Sequence, residues 1–204
     1  SNLMASLMTS STAAKKNRNT QKHNRKMRVF RSLHDSIIEK GYASTTLEDV
    51  SRGADMSPSH LLYYFNGKED VLEQYFEYVS ERFLVQVQSL RNSEPSNQLK
   101  EFTDIWFKSG SSTKEEIGFM LECFGAAVNN KTLHTIKTSF DKNCKAVLEQ
   151  IFTTSNKITA LGENKDIAET TYSLMIGLRS SVYFDDIELE EARRLFYKAV
   201  KQLS

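Results

Sequence analysis

Proline and glycine are scarce in this 204-residue chain, at 2 and 8 residues. All-β architectures need turn residues in quantity and α/β folds need some, so the scarcity points to helices. Cysteine is equally rare. Cys123 and Cys144 form no CxxC pair, and two thiols make no disulfide framework. Buried free thiols in a reducing cytoplasm are expected. The four histidines, His23, His34, His60 and His134, show no zinc-ligand spacing, so no metal and no cofactor are expected. No run nears the ~20 apolar residues of a membrane span. The N-terminus lacks the cationic head and apolar core of a secretory signal, and a start at Met4 or Met8 is expected. No nucleophile–base spacing, metal cluster or phosphate loop marks an enzyme. What is present is 39% hydrophobic and 10% aromatic residues, enough for one large domain or two smaller ones.

Charge of one sign is missing overall but not locally. The 27 Lys+Arg and 26 Asp+Glu give a net charge of +1. Residues 1–31 nevertheless hold eight bases, Lys15, Lys16, Arg18, Lys22, Arg25, Lys26, Arg28 and Arg31, and no acid. Removing them leaves 19 bases against 26 acids, a net of −7 for the remainder. A basic head on an acidic body suggests polyanion binding. A transit-peptide reading of this head loses to the continuation of its bases into a helical pattern.

Three domains are expected: a basic polar arm over 1–24, a small helical domain over 25–70, and a larger one over 71–204. From Arg25 onward, Val29, Phe30, Leu33 and Ile37 make one apolar helical stripe, ended by Lys40-Gly41. Thr46 opens a short helix with Asp49 completing a weak capping box. Ser57-Pro58 starts the next, with serine as N-cap and proline at the first helical position. A long helix runs from Lys68-Glu69-Asp70 to near Pro95, and further helices are expected at about 97–109, 114–129, 131–154, 165–184 and 188–203. The fold class is therefore all-α: three short helices followed by a helical bundle.

The two short helices form a helix-turn-helix, whose second helix can enter a major groove while the first braces across the backbone. On that second helix Ser57, Pro58, Ser59, His60, Tyr63 and Tyr64 face outward, and Leu61 and Phe65 inward. Lys68 stands at a helix N-terminus, where ammonium and free N–H groups meet a phosphate together. The basic run containing Arg25 and Arg28 can follow the duplex backbone or enter the minor groove.

Residues 28–72 resemble the DNA-binding domain of the tetracycline-repressor (TetR) family of bacterial regulators. The resemblance rests on Gly41-Tyr42, Thr45-Thr46-Leu47-Glu48-Asp49-Val50, Gly53-Ala54-Asp55-Met56-Ser57, Leu61-Leu62-Tyr63-Tyr64-Phe65 and Gly67-Lys68-Glu69-Asp70-Val71-Leu72. It implies that Thr46 and Lys68 meet phosphates, that Pro58, Ser59 and His60 reach bases, and that Tyr63 and Tyr64 pack on or bond to the backbone. One departure is Leu62, where many members have tyrosine. Leucine donates no hydrogen bond, so a contact there is limited to a thymine methyl.

The resemblance further implies a homodimer through the last two helices and a small-molecule effector bound by the C-terminal body. Expected wall residues are Trp106, Phe107, Met120, Glu122, Cys123, Phe124, Phe140, Tyr172, Met175 and Arg179. Each is also an ordinary core residue type or a pairing residue. Gly118, Glu122 and Gly125 share a face, which leaves either a cavity with an anionic anchor or a tight helix crossing; the crossing is favoured. Arg179 either clamps an anionic ligand or pairs across a dimer seam, with the seam favoured. The functional expectation is an effector-responsive repressor that binds a palindromic double-stranded operator. The alternative is a helical protein–protein adaptor whose basic head is a docking tail.

Overall fold

The computed structural model describes residues 2–155 and 163–203; Ser1, residues 156–162 and Ser204 lie outside the described residues. Nine α-helices and no strand occur among the described residues. They are α1 (Asn2–Lys40), α2 (Leu47–Gly53), α3 (Pro58–Tyr64), α4 (Lys68–Ser89), α5 (Gln98–Trp106), α6 (Ser112–Ala127), α7 (Lys131–Ser155), α8 (Asn164–Tyr183) and α9 (Leu189–Leu203). Two short 3-10 turns, Leu90–Asn92 and Pro95–Asn97, separate α4 from α5. The chain divides into two compact units, Ser1–Tyr75 and Phe76–Ser204.

In the first unit the stripe Val29, Phe30, Leu33 and Ile37 is buried, as are Val50 and Ala54 around α2, Leu61 and Phe65 around α3, and Val71 and Leu72 of α4. Phe30 sits between two rings, with centroids 6.1 Å from Phe65 and 5.2 Å from Tyr75. Gly41 adopts φ +80°, the left-handed C′ that ends α1. Helix α1 and helix α2 cross closely. The Ser32 hydroxyl donates to the Val50 carbonyl at 2.7 Å, and a Cβ at Gly53 would lie 2.2 Å from Ser32 Oγ. A larger residue at 53 would force the Ser32 side chain to shift.

Helix α1 differs from expectation. Residues 9–24 read as an arm because they carry no apolar stripe, yet the helix is continuous from Asn2. No proline or glycine interrupts residues 1–40, and the Ala, Lys, Arg, Gln and Met content favours helix without tertiary packing.

The second unit is built around α8, whose Ile167, Ala168, Tyr172, Met175 and Val182 enter the core. Helix α5 contributes Phe102 and Trp106, α7 contributes Cys144, Val147 and Leu148, and α9 contributes Ala192, Phe196 and Val200. Phe196 packs on Phe102 and Phe107 at 6.1 and 5.1 Å between centroids. Helix α6 approaches Tyr183 closely at Gly118, where a Cβ would lie 2.6 Å from the ring, whereas a Cβ at Gly125 would meet nothing within 4 Å. A tight crossing, not a cavity, is what Gly118 serves.

Candidate nucleic-acid interface

Helix α3 is short, and its ends are fixed by its own sequence. Ser57 in the extended conformation accepts a hydrogen bond from the His60 N–H at 3.1 Å, and Pro58 occupies the first helical position. Leu61 and Phe65 anchor the helix inward. Pro58, Ser59 and His60 are exposed, Leu62 is 49% exposed and Tyr63 81%. Tyr64 is half-buried, edge-on to Tyr63 at 5.0 Å and tilted to His60 at 5.4 Å. One apolar face and one face of mixed hydrogen-bonding and aromatic groups is the surface a groove-reading helix needs.

Helix α2 starts with a complete capping box. The Asp49 N–H donates to Thr46 Oγ1 at 3.0 Å, and the Thr46 N–H donates to Asp49 Oδ2 at 2.9 Å. Thr46 is exposed and its oxygen accepts from Asp49, which leaves its own O–H able to donate. Asp49 also pairs with Lys40 at 3.0 Å and Arg52 at 2.9 Å. The Thr46 backbone N–H first, then Lys40, hold its carboxyl well below the usual aspartate range.

Three basic residues have partners that spacing does not reveal. The Lys68 ammonium donates to the Tyr42 carbonyl at 2.9 Å and lies 4.1 Å from the centroid of the Tyr42 ring. It is thereby held at the start of α4 with donors to spare. Arg28 donates to the carbonyls of Ala54 and, at 3.3 Å, Asp55. Asp55 has φ +55°, so Arg28 braces the left-handed turn between α2 and α3. Arg25 donates to the Tyr64 hydroxyl at 2.9 Å, joining α1 to the last turn of α3.

The expected effector residues lie in the second unit. Trp106, Phe107, Cys123 and Met175 are fully buried, Tyr172 and Phe140 nearly so, and Met120, Glu122 and Phe124 half-buried. Phe140 and Arg179 meet at the Trp106 indole, and Met120 joins them through Arg179. Phe140 stands edge-on to Trp106 at 6.0 Å. The Arg179 guanidinium lies 5.2 Å from the ring centroid and donates to the Trp106 carbonyl and, at 3.1 Å, to Met120 Sδ. Phe83 of α4 stacks on the same indole at 5.2 Å between centroids. Phe107 packs instead on Phe196, and Phe124 beneath Lys137 at 4.7 Å. Tyr172 donates to Asp141, a partner that sequence reasoning did not single out.

Arg179 is 3% exposed and turned into its own bundle, which removes it from a surface seam. Burial brings its pKa down to about 10. Trp106 Nε1 and Thr171 Oγ1 are buried and have no hydrogen-bond partner among the described residues. Burial also drives the two thiols up, Cys144 to about 12 and Cys123 further. Among the described residues no group of His, Cys, Asp and Glu is arranged to hold a metal, and no helix is long and apolar enough to cross a membrane.

Residues 34–75 match the family model of bacterial regulatory proteins, tetR family. Among curated proteins none matches the sequence. Solved structures do match in fold. A TetR transcription regulator from Haloarcula marismortui has a TM-score of 0.78 at 17% identity, covering 89% of this chain and 98% of its own. A transcriptional regulator from Saccharomonospora viridis in complex with choline has 0.77 at 13%, covering 86% and 95%. The fatty acid degradation regulator FadR from Bacillus halodurans has 0.73 at 16%, covering 86% and 94%.

Proposed function

From a chain whose residues 34–75 match the family model of bacterial regulatory proteins, tetR family, and whose fold is similar to that of solved regulators, we propose a homodimeric, effector-responsive DNA-binding repressor of the cytoplasm. The observation that carries the reading is α3. Two buried anchors and a serine cap present Pro58, Ser59, His60 and Tyr63 outward on a helix of groove-fitting size. Thr46 and Lys68 stand at the starts of the flanking helices, as phosphate donors would. Arg28 acts as a positioning residue for the turn, and Arg25 for Tyr64. Two copies of α3 would read the halves of a pseudo-palindromic operator.

The test separates positioning from readout. Lys68→Ala is expected to weaken binding to all duplexes and to flatten the salt dependence by about 0.9 in log–log slope, one phosphate's worth. His60→Ala is expected to cost about 1–3 kcal/mol at a selected operator and little on random sequence. Mobility shift with a selected operator reads both. Wild-type behaviour in both variants overturns the assignment of α3, and no shift by the parent returns the chain to the adaptor class.

The effector site is placed around Trp106, Met120, Phe140 and Arg179. An indole N–H unpartnered among the described residues, and a guanidinium that donates there to a carbonyl and a thioether, support a ligand with hydrogen-bond acceptors. Effector binding would favour a dimer geometry mismatched to the operator, releasing DNA. A co-purifying mass that lowers operator affinity would identify it.

A further inference from the structure

We propose that the N-terminal half of α1 is a second DNA-contacting surface, laid along duplex phosphates beyond those that α3 reaches. This rests on the DNA-binding reading above. At 3.6 residues per turn, Lys15, Arg18, Lys22, Arg25 and Lys26 fall within about 100° of the helix circumference. The first acid in the chain is Asp35, so nothing on this stretch neutralises them. Lys15, Arg18 and Lys22 are exposed. Arg25 ties the same face to the recognition helix through the Tyr64 hydroxyl at 2.9 Å. The stripe therefore begins beside the helix proposed to read bases and continues away from it.

The lengths agree with a duplex. From Lys15 to Lys26 the helix rises about 16 Å. Phosphates on one strand recur every ~3.4 Å of duplex axis, so the stripe spans about five of them. A continuous helix fixes the spacing of these cations before contact, which lowers the ordering cost of binding. A membrane surface fits less well. Residues 11–24 have no face of large apolar side chains to insert, and all of them are exposed.

The test uses the full chain with Lys15, Arg18 and Lys22 each changed to Gln, a substitution neutral to helix. Affinity for a random-sequence duplex is followed by anisotropy over roughly 50–200 mM salt. The expected loss of log–log slope is about 2.7, at ~0.9 per phosphate. Ethylation interference on a selected operator should vanish at the outermost phosphates and persist opposite α3. Lys16→Gln, off the stripe, should leave the interference pattern intact. Lys22→Ala, which favours helix, gives a second measurement with about 0.9 of slope expected to be lost if the triple variant loses helix content. Unchanged slope and interference overturn the proposal. An even loss at every phosphate also overturns it, because the cations would then act only at long range. Failure of the parent to bind any duplex overturns the DNA-binding reading itself.

Discussion

Gly53 and Ser32 show how one missing side chain sets a domain's geometry. A methyl at Gly53 would meet a hydroxyl that is already committed to the Val50 carbonyl. Gly53→Ala is expected to cost about 1–3 kcal/mol, the range for overpacking. The Ser32→Ala/Gly53→Ala pair should cost less than the sum of the singles, since the clash and the hydrogen bond share one oxygen. Urea midpoints of the four proteins measure the cycle; strict additivity would dismiss the clash. The glycine belongs to a motif visible in the sequence, but its partner, 21 residues earlier in the chain, is not. The same holds for Lys68, held by Tyr42, and Arg28, held by the α2–α3 turn. Spacing locates a base on a helix end; which carbonyl receives it depends on packing between helices.

Helices with an apolar stripe or a cap were legible because burial and capping both leave periodic or positional marks. The Thr46–Asp49 box and the Ser57-Pro58 start are where the residue types place them. The N-terminal half of α1 left no such mark; its residues 11–24 are exposed, and only intrinsic propensity speaks for it. The final helix was half legible. Its stripe of Leu195, Phe196, Ala199, Val200 and Leu203 suits a dimer seam, yet Phe196 and Val200 are buried in the chain's own core. Helix α2 also carries a pH dependence. The depressed Asp49 carboxyl adds stability that is complete above roughly pH 5 and lost as pH falls through the unfolded value of about 3.9 and below. Asp49→Asn is therefore expected to lower the urea midpoint at neutral pH and to flatten its acid dependence. Parallel acid curves for the two proteins would show that the box is not a titrating element.

A formal charge of +1 conceals two electrical characters, a basic start and an acidic remainder. If the chain binds DNA as proposed, attraction to the duplex resides in the basic start, and the acidic remainder is repelled by it. The outward apolar groups left for a dimer seam include Leu195 at 37% and Phe184 at 63% exposure. Leu195→Glu is expected to give a folded monomer in sedimentation, with unchanged helix content and weakened operator binding. A dimer that persists at every concentration would move the seam elsewhere. One further consequence belongs to α3. Its hold on the domain comes from Leu61, Phe65 and the Ser57 cap, while positions 59, 60, 62 and 63 contribute no buried side chain. Those four positions can be rewritten almost without regard to folding. A library randomised there should yield mostly folded proteins, with altered sequence preferences if α3 reads bases as proposed.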